Sequence, residues 1–384
     1  MSLLQPYWDR AGKVYQLEPN PHSFHDWSQG EEVPRNQQRL LAATKDILGK
    51  TVVRTRCKGV NMNITLDATL VDGKSIILRQ RNTHSDAHLE KWSLAKFQNE
   101  IKLLRFLGDN SSIPVPKVLA VGSDFTVQEK MPGTALVYVW HSLTPAEKTR
   151  FISAYVDVLL VLFRLPMPQR IGSASAYDTD PNKSSIAVVP LLSPTPGDSL
   201  SNVIDSISDY IDLLFAIKRR AIEKMKPEDM NRADITLSNL QAKASTMLQA
   251  VNSDASYLHC VLSHGDLHNY NILASNDGDI TAVLDWEFNR IQPVILAIDY
   301  PLWLSTQAQF DPRFANDNEW WEESPAERAR LCAVFEQTIQ ERDPELYKCL
   351  VNGRDLRGVV GWLTDKHSDP GFDRMGEWAA SLKN

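Results

Sequence analysis

Residues 262–287 read LSHGDLHNYNILASNDGDITAVLDWE, and this run constrains the chain more than any other. Two apolar, strand-like pieces, NILAS and ITAVL, are joined by Asn276-Asp277-Gly278-Asp279, residue types that favour tight turns. The pattern predicts a hairpin whose polar groups sit at its open ends. Asp266 and Asn271 lie on the entering loop and Asp285 ends the returning strand, so a short hairpin brings the three side chains together. Carboxylate, amide oxygen and carboxylate are hard oxygen donors. They suit Mg²⁺, which prefers such oxygens, phosphate and water to an all-protein cage.

The segments upstream divide into two kinds. TVVRTRC running to Gly59, then ITLDATLV and SIILRQR, read as strands, and Asp72-Gly73 between the last two is a strong hairpin signal. Leu94, Phe97, Ile101, Leu104 and Leu107 fall on one helical stripe within Leu89–Leu107, with Glu100 between apolar neighbours. IPVPKVLAVG and FTVQEKMPG add two short strands before the Pro132-Gly133 break. Beyond it the pattern turns helical, with helices expected over Ala146–Leu165, Ser199–Lys226 and Thr236–Val251, separated by a Pro/Ser/Gly-rich stretch at 166–198. The fold class expected is α+β in two lobes: a small lobe of antiparallel sheet plus one helix, and a larger, mainly helical lobe. Residues 1–50 read as an extension packing on the core, 51–131 as the small lobe and 132–384 as the large one, with a ligand cleft at their junction. His22 and His25, in a Pro-Asn-Ser context without a nearby carboxylate at zincin spacing, read as surface residues.

Composition narrows the partners. Lys+Arg 41 against Asp+Glu 48 gives a net charge of −7 over 384 residues, with no basic cluster, which argues against nucleic acid as a partner. Cys57, Cys260, Cys332 and Cys349 are few and scattered, without a C-x-x-C pair, which fits a reducing compartment rather than a disulfide scaffold. The longest apolar stretch, Tyr155–Phe163, is interrupted by Asp157, far short of the roughly 20 residues a membrane span needs. No membrane partner is expected, and a cytoplasmic location is the default expectation.

The order H-G-D-L-H-x-x-N-I-L followed by L-D-W-E resembles the aminoglycoside phosphotransferase family, whose members share the bilobal protein kinase-like fold and include choline kinase-like enzymes. The resemblance runs from about residue 51 to about residue 301. It implies an enzyme that uses ATP and Mg to phosphorylate a hydroxyl of a small molecule. Asp266 would accept or orient the acceptor hydroxyl, Asn271 and Asp285 would hold the metal, and His264 and Asp299 would support the loop. The family's glycine turn over the phosphates is represented by Gly59-Val60-Asn61-Met62-Asn63, which keeps Gly59 and Asn63 but lacks a second glycine. Arg79 takes the place of the kinase lysine, to be fixed by Glu100, although strand alternation puts Arg81 on the same face. Gln128–Met131 would be the hinge, with Glu129 and Met131 offering backbone groups to adenine.

His268, Glu287 and Trp303 are candidates for the acceptor side. Asp198, Asp205, Asp209 and Asp212 gather near one helix start, where acidic groups near an aromatic would suit an amine-bearing acceptor. A solvated helix N-terminus explains the same acids through the helix dipole, and is the reading favoured here. Two other functions compete. His264, Asp266 and His268 could belong to a metal-dependent hydrolase, and the incomplete glycine turn together with Arg79 could mark a kinase-fold protein that does not transfer phosphate.

Overall fold

The computed structural model describes residues 4–9, 12–17, 35–60, 63–177, 185–191, 193–195, 202–304, 321–364 and 372–382. His22, His25, Asn61, Met62 and Asp198 lie outside the described residues. The chain begins with a hairpin of β1 (Gln5–Trp8) and β2 (Val14–Leu17), followed by α1 (Arg35–Leu48).

The small lobe follows as β3 (Val52–Val60), β4 (Asn63–Leu70), β5 (Ser75–Arg81), α2 (Ala87–Asn110), β6 (Val118–Val121) and β7 (Phe125–Glu129). The five strands form one antiparallel sheet in the order β3-β4-β5-β7-β6. The Asp72-Gly73 turn joins β4 to β5 as the sequence predicts, with Gly73 at φ 81°. Side chains alternate across a strand, and one face gathers Leu66, Ala68, Leu70, Ile76 and Leu78 into a buried cluster with Leu40 of α1. The other face of β5 carries Arg79 and Arg81. α2 starts where Asp86 accepts from Leu89 N at 2.8 Å, and it buries Phe97, Ile101, Leu104 and Leu107 along its apolar stripe.

In the large lobe, β8 (Thr134–Ala135) and α3 (Leu136–Val139) lead to α4 (Pro145–Arg164), which opens on a capping box between Thr144 and Glu147 with Pro145 in its first turn. The hairpin of β9 (Ser173–Tyr177) and β10 (Ser185–Val189) precedes α5 (Ile207–Ile222) and α6 (Pro227–Asn252). Both of these helices depart from expectation. Ser206 caps α5, so the helix begins later than Ser199, and Pro227 fits the first turn of α6, which therefore begins well before Thr236. Asp209 exchanges hydrogen bonds with Ser206 and Asp205 pairs with Arg170 at 2.6 Å, so these two acids are engaged in capping and surface pairing.

Four short strands then build the centre of the molecule: β11 (Cys260–Ser263), β12 (Ile272–Ala274), β13 (Ile280–Val283) and β14 (Arg290–Pro293). Among the described residues the helices that follow are α7 (Val294–Ala297), α8 (Pro325–Arg342), α9 (Pro344–Asn352), α10 (Arg354–Thr364) and α11 (Asp373–Ser381). Trp303 does not face an acceptor site: it is 6% exposed and packs edge-to-face on Trp140, Phe151 and Tyr155, with ring centroids 5.5–6.2 Å apart. A large apolar ring is worth more in that core than at a wet pocket wall.

The first strand reaches across the chain. Trp8 and Trp321 exchange two backbone hydrogen bonds of 2.8 Å, and Tyr7 stacks edge-on against His141 at 5.7 Å. All four cysteines are buried free thiols, and no helix among the described residues is long and apolar enough to cross a membrane.

Candidate active site

Two strand pairs hold the 262–287 segment. At one end β12 pairs antiparallel with β13, Ile272 opposite Val283, and Leu284 N donates to Asn271 O at 2.8 Å. At the other end β11 pairs with β14, Ser263 opposite Arg290. The loop 264–271 and the turn 284–289 are thus clamped against each other from both sides. His264 fastens them: Nε2 donates to Leu284 O at 2.7 Å, while Nδ1 accepts from Asp266 N at 3.3 Å. With both ring nitrogens engaged, His264 is not free to bind a metal. Among the described residues no three His, Cys, Asp or Glu side chains gather in a metal-holding group.

Burial depresses the His264 imidazole from 6.5 to about 4, with Leu284 O, Asp285 and Asp266 opposing. The ring is neutral in the folded protein and protonates more readily in the unfolded chain. Its contribution is therefore complete above pH 6.5 and is lost as pH falls towards 4. His264→Gln is expected to cost stability at pH 7, and that cost should shrink by about 2 kcal/mol at pH 5, as measured by denaturant unfolding. A cost that does not change with pH would mean that the ring does not titrate in this way.

The loop delivers three polar side chains. Asn271 Nδ2 donates to Asp266 O at 2.9 Å and lies 3.5 Å from Asp266 Oδ2. Spending the amide NH₂ on the loop leaves Oδ1 as an oxygen donor for a cation. Asp285 sits at φ 63°, a left-handed conformation that Asp tolerates better than most residues, and its carboxylate is 30% exposed. Asp285 and Asn271 together offer the oxygen chemistry that Mg²⁺ takes. Burial alone would raise the Asp266 carboxyl, but His268, His264 and Lys96 outweigh it and hold it below the ordinary value, so it is ionised at neutral pH. His268 Nε2 stands 3.6 Å from Asp266 Oδ2, and its Nδ1 accepts from Tyr270 N at 3.1 Å.

From the small lobe, Arg79 reaches three carboxylates: Glu100 at 3.1 Å, Asp285 at 2.6 Å and Glu287 at 3.2 Å. Burial would weaken its charge, but the three acids more than restore it. Glu100 is buried and pushed upward by desolvation against the pull of Arg79. Arg81 makes a different pair, donating from both terminal nitrogens to Glu90 at 2.8 and 2.6 Å, so the geometry separates two arginines that strand alternation could not. Asn63 Nδ2 donates to Glu287 Oε2 at 2.9 Å. Glu287 is thus held between Arg79 and Asn63 of the small lobe.

The other expected positions fall as follows. Gly59 lies within β3 opposite Thr65, just past a bulge. Glu129 ends β7 with its N–H donated to Lys117 O at 2.9 Å, and Met131 follows in the connection to β8. Asp299 accepts from Tyr300 N at 2.9 Å and lies 3.5 Å from Arg357 Nε. Beside the loop, Asn269 donates to Glu322, whose carboxyl is raised to about 7 mainly by burial, and Lys148 pairs with Glu323. Neither Glu322 nor Lys96 stands out in the sequence. The signal for Lys96 is its place one helical turn before Glu100 on the same face of α2.

This two-lobed arrangement, with a five-stranded sheet and one helix set over a mainly helical lobe, is the protein kinase-like fold of the aminoglycoside phosphotransferases. The family model described as "Phosphotransferase enzyme family" (APH) matches residues 65–331, and the chain belongs to that family. It is 38% identical to "Clavilactone A biosynthesis cluster protein Y" from Ampulloclitocybe clavipes, over 99% of this chain and 96% of that protein. Among solved structures it is similar to aminoglycoside phosphotransferase APH(4)-Ia, at 13% identity and TM-score 0.50 over 92% of this chain and 100% of that one. A thermostable mutant of the same protein in its apo form aligns at 15% identity and TM-score 0.50, over 88% and 97% of the two chains.

Proposed function

We propose that the protein is an ATP- and Mg-dependent phosphotransferase that moves the γ-phosphate to a hydroxyl of a small molecule. The observation that carries this reading is the convergence of Asp266, Asn271 and Asp285 on one clamped hairpin beneath the Arg79–Glu100 pair. Residues 51–131 would then be the nucleotide-binding lobe and 132–384 the lobe of the catalytic loop and acceptor site. Met131 would offer its backbone to adenine, since the Glu129 N–H is already spent on Lys117.

In the transfer the acceptor oxygen bonds to the γ-phosphorus, the bond from that phosphorus to the ADP oxygen breaks, and the hydroxyl proton passes to the Asp266 carboxylate. Asn271 and Asp285 would hold Mg²⁺, which when bound would supply charge neutralisation at the phosphates. Arg79 exchanges its contact with Asp285 for a phosphate oxygen and keeps Glu100. His268, beside Asp266, faces the acceptor. The name of the relative that spans the chain ties that protein to clavilactone A biosynthesis, which supports a small metabolite as acceptor.

A second reading, a kinase-fold protein without phosphotransfer, draws on one contact: Arg79 already occupies Asp285. One assay separates the two. ADP release is measured with Mg-ATP over hydroxylated amines, sugars, choline-like compounds and aromatic alcohols. The phosphotransferase reading expects acceptor-dependent release from at least one class. Nucleotide binding with no release over water-only background across the whole panel would favour the second reading.

A further inference from the structure

Lys96 lies on α2, which packs on the turn after Asp285, and its ammonium has no hydrogen-bond acceptor among the described residues. Its Nζ is buried and has no hydrogen-bond partner among the described residues, although an ammonium carries three donors. It rests over the Phe288 ring, 2.9 Å from the centroid, and 4.8 Å from that of Trp92. Phe288 closes the turn that begins at Asp285, and α2 packs directly on that turn.

The charged groups around Lys96 come from four elements: Glu100 on α2, Asp285 and Glu287 on the turn, Arg290 on β14, and Asp266 on the loop. Burial lowers the ammonium to about 8, and Glu287, Asp285 and Glu100 oppose that fall. Those three acids are already engaged by Arg79, and Glu287 by Asn63 as well. A buried donor left unmade costs free energy, so its position next to Asp266 and Asp285 calls for a ligand that satisfies it.

Resting on the phosphotransfer reading above, we propose that Lys96 binds the terminal phosphate of the nucleoside triphosphate, so that α2 contributes two contacts to the site. Glu100 fixes Arg79 and Lys96 meets the group that is transferred. The aromatic faces of Phe288 and Trp92 hold the ammonium until the phosphate arrives. The contact exists with a triphosphate and is missing with a diphosphate, so Lys96 distinguishes substrate from product nucleotide.

The test is calorimetric binding of Mg-AMP-PNP and Mg-ADP to the full chain as wild type, Lys96→Met and Lys96→Arg, with thermal melting recorded for each. Lys96→Met is expected to weaken Mg-AMP-PNP by roughly 10–100-fold, the range of one charged hydrogen bond, and Mg-ADP by less than about threefold. Lys96→Arg should recover most of the loss. Equal weakening of both nucleotides would assign Lys96 a structural role and overturn the proposal, as would unchanged binding of both. A wild type that binds neither nucleotide would instead overturn the phosphotransfer reading, and this proposal with it.

Discussion

Asp266→Asn is expected to lower turnover by about 10²–10⁴-fold while Mg-ATP affinity stays within about threefold of wild type. The substitution keeps size and most hydrogen-bonding geometry, including the backbone bond from Asn271, but removes the negative oxygen proposed to take the acceptor proton. Asp266 is not one of the proposed metal ligands, so nucleotide binding should survive. Steady-state kinetics with an identified acceptor, paired with calorimetry, reads both quantities. Full turnover in Asp266→Asn would remove the proposed base, and loss of nucleotide binding would move Asp266 into the metal site.

Gly265→Ala should be nearly as damaging, for a steric reason. Gly265 adopts φ +80°, and a Cβ there would stand 2.0 Å from the Phe288 carbonyl oxygen. That contact is with backbone, so relief requires the loop 264–271 and the turn 284–289 to part. Both Asp266 and Asp285 then move, along with the ring on which Lys96 rests. Left-handed strain plus overpacking gives a destabilisation on the order of 3 kcal/mol or more by denaturant unfolding, with activity lost in the folded fraction too. Gly73→Ala is the matched control. Gly73 has a similar φ of +81° but nothing within 4 Å of the added methyl, so only the backbone strain of about 1 kcal/mol should appear. Equal costs at the two glycines would show that the loop and turn are not in the contact described.

What the sequence reveals and what it hides follow from the range of the forces involved. The hairpin from Asn271 to Asp285 is legible because its turn, its strands and its polar ends lie within a short run, and backbone pairing such as Ile272 opposite Val283 follows from that pattern. The small-lobe sheet is legible for the same reason, through the Asp72-Gly73 turn and the alternation of Leu66, Ala68 and Leu70. Arg79 and Arg81 share a face, and only the placement of α2 across the sheet gives Glu100 to the first and Glu90 to the second.

Trp303 shows the opposite limit. Its distance in sequence from Trp140, Phe151 and Tyr155 hides a core contact behind what reads as an aromatic candidate for the acceptor side. The union of Trp8 with Trp321 and the bond from Asn269 to Glu322 are likewise long-range and leave no local pattern to read. Lys96 lies between these cases. Its helical spacing from Glu100 is visible in the sequence, but its missing partner becomes visible only once Arg79 is seen to engage the neighbouring acids.

Calorimetric titration of ATP with and without Mg²⁺, in wild type and in Asp285→Ala, tests whether the loop and turn form a metal-assisted nucleotide site. Wild type is expected to bind ATP markedly more tightly with Mg²⁺, and Asp285→Ala to lose most of that metal-dependent gain. Absence of ATP binding by the wild type, or the same Mg²⁺ dependence in Asp285→Ala, would contradict that assignment.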